Sequence, residues 1–347
     1  MIYVNLPKQR PQPITLEEVA TRAGVSAGTV SRVLNGKNKE NRPAIAKRSE
    51  KIRQIALDLG YRPNAAARSM LRGAFRTAAF VTCGDPGIDW YPITGLNGIH
   101  AALTELDWRL IYNEMPASQI GDPDIVPQLL RETAVDGLIV NLLPYFVEET
   151  VDYFEAQPLP CVWLNIKREV RSVYPDERTG GEIAVESLTR SGHKRIGFFS
   201  RSFGNPIHYS SIDRLGGFQQ AIKLRDLSSH RHLPLQSARP DRGAFQQRAE
   251  QFLSSFPDVD SVICYESAEV SSLTVAAERI GRRVPDVLEI IGFSERNIHD
   301  TFGMNAKSLI IPFHETGRQA VNMLQRILET GNRDASSIAI PYSLLED

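Results

Sequence analysis

The sequence predicts an all-α helix-turn-helix head followed by a two-lobed α/β body with parallel sheets. Three observations carry this. Residues 15–35 hold two short helix signatures around a tight glycine turn. From about residue 76 onward, short apolar runs alternate with longer amphipathic stretches, the pattern of parallel strands covered on both faces. The charge is also split. Residues 1–76 carry 15 Lys and Arg against 5 Asp and Glu, or +10; the rest carries 25 against 36, or −11. A basic head on an acidic body is the electrostatic footprint of a polyanion-binding protein, although a charged face can also be merely solvated.

In the head, Thr15-Leu16-Glu17-Glu18 is a capping box: the Thr15 hydroxyl can accept from the third helical N–H while Glu18 reaches back. Val19, Ala20 and Ala23 form a short apolar face, and Gly24 stops the helix. Ser26 caps a second helix, Ala27 to Leu34, with Val30, Val33 and Leu34 turned inward and Asn35-Gly36 at its end. Ala27, Gly28, Ser31 and Arg32 lie on its outer side, where small residues permit close approach to bases and phosphates. Arg32 can present a bidentate fork to guanine O6 and N7. A third helix is expected from about Pro43 to Leu59, closed by Gly60. Its outer Lys47, Arg48, Lys51 and Arg53 are phosphate-contact candidates or a solvated face. Beyond Pro63, Asn64 can cap a short Ala-rich helix, too short to persist in water without support.

The body should contain strands at Thr77–Cys83, Asp136–Asn141, Pro160–Asn165, Arg195–Ser200, Ser261–Tyr265 and Leu288–Phe293. Helices are expected at Pro92–Leu106, Asp124–Thr133, Glu148–Gln157, Gly180–Ser191, Leu215–Leu224, Phe245–Ser255, Glu269–Ile280 and Glu315–Thr330. Ligands of such folds bind at the carboxyl ends of strands, here between two lobes. Cys83, Cys161 and Cys264 lie far apart in apolar runs and read as buried strand residues. His193, after a glycine and before a strand, reads as part of a helix C-cap rather than a ligand or base.

Several classes are excluded by what is missing. No apolar run approaches the roughly 20 residues of a membrane helix. Met1-Ile2-Tyr3-Val4-Asn5-Leu6-Pro7-Lys8 has no export-signal core, so a cytoplasmic protein is expected, nucleoid-associated when bound to DNA. The same absence, with the head, argues against an exported solute-binding protein. No nucleophile elbow, Walker loop, Gly-x-Gly-x-x-Gly after a strand or His-Glu-x-x-His appears, and the seven histidines lack metal-ligand spacing. Neither an enzyme, nor a cofactor, nor a metal is expected.

Val19-Ala20, Ala23-Gly24-Val25-Ser26, Thr29-Val30-Ser31-Arg32-Val33-Leu34-Asn35-Gly36, then Gly60-Tyr61-Arg62-Pro63-Asn64-Ala65 and Ala67-Arg68-Ser69, together resemble the LacI/GalR family of bacterial repressors. The body resembles that family's periplasmic-binding-protein-like (type I) effector domain through Val135-Asp136-Gly137-Leu138-Ile139-Val140, Gly192-His193-Lys194-Arg195-Ile196-Gly197-Phe198, Asp213-Arg214-Leu215-Gly216-Gly217-Phe218 and Ile291-Gly292-Phe293. The resemblance covers about residues 14–340. It implies a homodimer on palindromic double-stranded operator DNA, with paired hinge helices that wedge a side chain into the minor groove. Met70 stands at the wedge position, where the family has leucine. On that footing the DNA-binding residues are Thr15, Leu16, Ser26, Ala27, Gly28, Thr29, Ser31, Arg32, Asn35, Asn64, Ala67 and Met70.

The implied domains are a helix-turn-helix domain over 1–61, a hinge helix over 62–73 and an effector-binding and dimerisation domain over 74–347. Its N-lobe should span about 76–175 and 309–338, and its C-lobe about 176–308 and 339–347. The resemblance places Asp85, Trp90, Tyr91, Asn165, Asp176, Ile212, Arg214, Glu266 and Ser294 at the effector cleft. Three polar anchors differ from the family's usual sugar-binding set. Ile212 replaces an arginine, Glu266-Ser267 replaces Asn-Asp, and Ser294-Glu295 replaces Asp-Asp. A common pyranose held by Arg, Asn and Asp is therefore not expected. The resemblance still implies a small-molecule effector, a sugar or sugar derivative, and the changed anchors suit a neutral or cationic one rather than an anion. The alternative is a cleft that answers to another ligand or to a protein partner. No apolar heptad tail precedes Asp347, so a dimer rather than a coiled-coil tetramer is expected.

Overall fold

A computed structural model describes residues 13–35, 43–64, 69, 73–84, 93–116, 134–142, 148–200, 208–232, 242–297 and 303–343. The chain divides into two compact units, Met1–Phe75 and Arg76–Asp347.

The first unit contains α1 (Leu16–Ala23), α2 (Ala27–Leu34) and α3 (Pro43–Asp58). Val19, Ala20, Val30, Val33, Ile52 and Ala56 form its core, with Tyr61 packed at the edge. The core is small, so the caps that fix each helix end matter in proportion.

The second unit starts with β1 (Thr77–Gly84), α4 (Ile93–Glu105), β2 (Arg109–Pro116), β3 (Gly137–Asn141), α5 (Glu148–Glu155), β4 (Cys161–Leu164) and β5 (Ser172–Pro175). It continues with α6 (Glu177–Arg190), β6 (Arg195–Phe199), α7 (Tyr209–Leu224), β7 (Ser228–His232), α8 (Arg242–Ser255), β8 (Ser261–Cys264), α9 (Ser267–Arg279), β9 (Glu289–Ser294) and β10 (Lys307–Ile310). It ends with α10 (Phe313–Thr330) and β11 (Ile338–Ile340). The strands form two sheets, ordered β11-β5-β4-β3-β1-β2 and β10-β9-β8-β6-β7, in which the paired strands run parallel.

Each sheet has helices and apolar cores on both faces. Phe80, Leu103, Ile139 and Leu324 lie on one face of the first sheet, Val81, Phe154 and Trp163 on the other. Phe198, Phe218 and Phe293, then Phe199, Phe252 and Leu273, do the same for the second. The chain passes between lobes after β5, after β10 and after β11, where Tyr342 packs into the second lobe's core. Because β10 ends at Ile310 and β11 at Ile340, the last two crossings fall slightly beyond the expected 308–309 and 338–339.

Five strands escape a reading based on apolar runs: β2, β5, β7, β10 and β11. β2, β7, β10 and β11 are sheet edges, and β5 is only four residues long. Helix α6 starts at Glu177 rather than Gly180, because Asp176 supplies the cap. Helix α7 starts at Tyr209 rather than Leu215, because Ser210-Ser211 looks like a loop in sequence but lies in the first turn. The expected helix at 124–133 lies outside the described residues. His193 donates its backbone N–H to Leu188 O behind the α6 C-cap Ser191. Its ring has a second role, lying between Asp260 (3.3 Å) and Glu289 (2.6 Å) at the amino ends of β8 and β9.

Candidate nucleic-acid interface and effector cleft

In the head, Glu18 Oε2 accepts from Thr15 N at 2.6 Å, and Thr15 Oγ1 accepts from Glu18 N at 3.3 Å. Both halves of the capping box are therefore made. Gly24 takes φ +65°, which only glycine adopts without strain, and Val25 N returns to Ala20 O at 3.0 Å. Ser26 Oγ accepts from Thr29 N at 3.3 Å, and Asn35 closes α2 through its own N–H and its Nδ2 to Ser31 (3.0 and 3.1 Å). Leu16 packs at the edge of the head core rather than standing clear of it. With Val30 and Val33 buried, Gly28 and Arg32 are left exposed one turn apart. A Cβ on Gly28 would meet nothing within 4 Å. Arg32 Nε donates to Gly28 O at 3.4 Å, so the guanidinium stem lies along the helix toward its N-terminus. On α3, Lys47, Arg48 and Lys51 are exposed, while Arg53 is drawn to Glu50 at 3.2 Å. Asn64 is exposed. Ala67 and Met70 lie outside the described residues.

In the body, the named cleft residues separate into groups. Asn165, at the carboxyl end of β4, has φ +58° and is 5% exposed. Its carbonyl accepts from His208 Nε2 at 2.9 Å and its Oδ1 from Tyr209 OH at 3.3 Å, both at the start of α7 in the other lobe. Asp176 is engaged as the α6 cap, on Thr179 N (3.2 Å) and Thr179 Oγ1 (2.7 Å). Ser294 Oγ accepts from Arg296 N at 3.4 Å. Glu266 is the N-cap residue of α9 but makes no side-chain cap bond. Ile212 is 62% exposed, on the side of α7 away from the buried Ser210, Arg214 and Phe218. Asp85, Trp90 and Tyr91 lie outside the described residues.

Arg214 is sealed in, at 4% exposure. Its Nε and Nη2 donate to the two oxygens of Glu177 at 2.5 and 2.9 Å, and its Nη1 to Tyr265 O at 2.6 Å. The guanidinium lies over the rings of Tyr265 (4.6 Å) and Phe293 (4.1 Å), and Tyr342 OH donates to Glu177 at 2.6 Å. Burial opposes its charge, but the Glu177 carboxylate, with Tyr342 and Tyr265 beside it, raises its pKa on balance. Two glycines make this possible. A Cβ on Gly181 would stand 2.3 Å from Arg214 O, and one on Gly217 1.9 Å from Arg178 O, so α6 and α7 touch backbone to backbone.

His208 was not anticipated. With Nε2 donating to the Asn165 carbonyl, its Nδ1 must accept from Ser210 Oγ (2.7 Å), whose other contact, Tyr265 OH at 2.5 Å, must then donate. Burial pushes the imidazole down to about 4 from 6.5, against the Asn165 bond, and Arg214 adds to the shift, so the ring is neutral. Nothing in the sequence signals this, because Asn165 lies 43 residues from His208 and Tyr265 lies 55 residues from the bridging Ser210. Further cross-lobe bonds join Lys167 to Asp213 at 2.5 Å and Thr94 to Glu295. Asn141 Oδ1, at the carboxyl end of β3 beside Thr82, is buried without a hydrogen-bond partner. Among the described residues no cluster of His, Cys, Asp and Glu could hold a metal, and no helix is long and apolar enough to cross a membrane.

A helix-turn-helix with a small-residue reading helix, ahead of two parallel-sheet lobes closing on a polar cleft, defines a DNA-binding transcription regulator with a periplasmic-binding-protein-like body. The comparisons agree. The lacI family of bacterial regulatory proteins matches residues 15–64, and the periplasmic binding protein-like domain matches residues 185–346. The chain thus carries a lacI-family helix-turn-helix domain and a periplasmic-binding-protein-like domain, and its homologues are LacI-family regulators. It is 25% identical over 339 residues to catabolite control protein A of Priestia megaterium, covering 95% of this chain and 97% of that one. To the transcriptional regulator CelR of Thermobifida fusca it is 27% identical over 334 residues, covering 91% and 92%. Among solved structures, the Lac repressor bound to ONPG shares the fold with a TM-score of 0.72 at 19% identity, over 96% of this chain and 99% of that one. A CelR–cellobiose complex does so with a TM-score of 0.60 at 22% identity, over 97% and 99%.

Proposed function

We propose that this chain is a repressor, not an enzyme, that binds a palindromic operator as a homodimer under control of a neutral, carbohydrate-like effector held between its lobes. Relatives of the same family include a ribose operon repressor, and a structural neighbour holds cellobiose, which supports the carbohydrate class. The observation that carries the charge assignment is the closed Arg214–Glu177 pair. A guanidinium is the side chain best shaped to grip an anionic ligand, and this one is already paired with both oxygens of Glu177. Asn141, whose buried Oδ1 has no hydrogen-bond partner, remains as an amide suited to a hydroxyl group. Dimerisation is supported by edge strand β2, where Ile111 and Tyr112 are 36% and 49% exposed.

In this reading Ala27 and Gly28 bring α2 close to the DNA, Arg32 reads a guanine, Thr15, Leu16, Ser26, Thr29, Ser31, Asn35 and Asn64 position the head, and Ala67 and Met70 act in the minor groove. The test is a mobility shift on DNA upstream of the protein's own gene, paired with a thermal-shift panel. A sequence-preferring complex at low salt is expected; its absence would sink the regulator reading. Neutral sugars or nucleosides should raise Tm and sugar phosphates should not. A second reading, in which the cleft answers to a protein partner, is favoured by the number of cleft groups already bonded to each other; no response to any small molecule would select it.

A further inference from the structure

We propose that Glu295 is a latch that holds the two lobes together without a ligand, by capping a helix of the opposite lobe. Helix N-terminal amides are usually satisfied by a side chain within three residues. In α4 an acceptor comes from 201 residues away. Glu295 Oε2 accepts from Thr94 N at 3.1 Å and from Thr94 Oγ1 at 2.8 Å. Thr94 is the second residue of a helix of the first lobe; Glu295 directly follows β9 of the second. A carboxylate there also meets the positive end of the helix dipole.

The helix it grips cannot shift independently of its lobe. A Cβ on Gly98 would stand 2.0 Å from His314 O, and one on Gly317 2.1 Å from Gly95 O, so α4 and α10 are in backbone contact. Helix α10 begins just past the crossing after β10. The grip of Glu295 on Thr94 is therefore a grip on the first lobe as a body. Elsewhere across the cleft, the Lys167–Asp213 pair and the His208–Asn165 bond join the same two lobes. Removing the latch should loosen those contacts too, because one rigid-body opening breaks all of them. The inference rests on the two-lobed effector-cleft reading above and adds that the chain's own carboxylate sets how far the lobes close on each other.

The test is hydrogen exchange on the full chain without ligand or DNA, comparing wild type with Glu295→Ala, Glu295→Gln and Thr94→Val. Expected is exchange faster by roughly fivefold, the scale of a lost cap, in segment 93–97 and also in segments 164–168 and 208–213. Glu295→Gln, which keeps an acceptor oxygen, should fall between. Thr94→Ser, which keeps both donors, should match wild type and show that the position tolerates substitution. Acceleration confined to 93–97 would make Glu295 a local cap, and no acceleration would make the contact incidental; either overturns the latch. Failure of the wild-type chain to bind operator would instead overturn the regulator reading and leave this measurement unaffected.

Discussion

At the scale of single residues, the head spends its side chains unevenly. Two consecutive positions at the start of α2, Ala27 and Gly28, offer almost nothing to hydrogen-bond with, so in the proposed reading discrimination by this helix rests on Arg32. Arg32→Ala should cost about 1–3 kcal/mol between the preferred operator and one with its guanine replaced. Fluorescence anisotropy against the two sequences measures it, and an equal loss on both would mean Arg32 contacts phosphate. Gly28→Ala separates folding from docking. The added Cβ meets nothing in the protein, and alanine favours a helix over glycine by up to about 1 kcal/mol. The head should therefore gain stability while operator affinity changes; unchanged affinity would place the start of α2 away from the bases. In the cleft, His208 makes a pH prediction. Its folded pKa is depressed to about 4 while the unfolded value stays near 6.5, so the unfolded chain binds the extra proton first. Stability should be fully present above about pH 6.5 and be lost as pH falls toward 4, by at most about 3 kcal/mol. His208→Gln should flatten that part of the pH profile of urea unfolding.

At the scale of elements, glycines set which helices can touch. The pairs α6–α7 and α4–α10 each meet through two glycines whose missing Cβ atoms let a carbonyl of the neighbour approach within bonding range of where they would be. Gly217→Ala has no flexible side chain to displace, only Arg178 O. It should cost about 1–3 kcal/mol by overpacking, and it should weaken the buried Arg214–Glu177 pair that this crossing aligns. A similar loss from Gly216→Ala, which faces only the tip of Arg178, would argue against the close-approach account. The same scale explains what was legible in the sequence. The head's helix limits were readable because each cap lies within three residues of what it caps, as with Thr15 and Glu18. The central strands were readable because parallel strands buried on both faces must be apolar throughout, as in Gly137–Asn141. The edges were not: Ser228–His232 carries no apolar residue, and its place is fixed by pairing with β6. The cleft was legible in part. Asn165 and Arg214 could be named from the family resemblance, but their partners Tyr209 and Glu177 are 44 and 37 residues away. No local pattern shows that Arg214 turns inward to a carboxylate.

At the scale of the whole chain, the split of +10 over residues 1–76 and −11 over the rest is a statement about where DNA goes. A protein of net charge −1 has no long-range attraction for a polyanion as a whole. Its attraction comes from the basic head, while the acidic body repels, so non-specific association should be confined to the head and fade within a Debye length of about 8 Å at physiological salt. Phosphate contacts release counterions, and a dimer neutralising on the order of 6–10 phosphates should lose about 10³- to 10⁵-fold in operator affinity between 50 and 200 mM salt. The slope of log K against log salt then apportions the head's surface. Lys47→Ala and Lys51→Ala on α3, one charge each per protomer, should each lower the slope and weaken specific and non-specific DNA alike. Arg53→Ala, already drawn to Glu50, should change the slope less. If neither lysine variant changes the slope, the exposed face of α3 is a solvated surface, and the positive charge that meets the phosphates lies elsewhere among the 15 basic residues of the head.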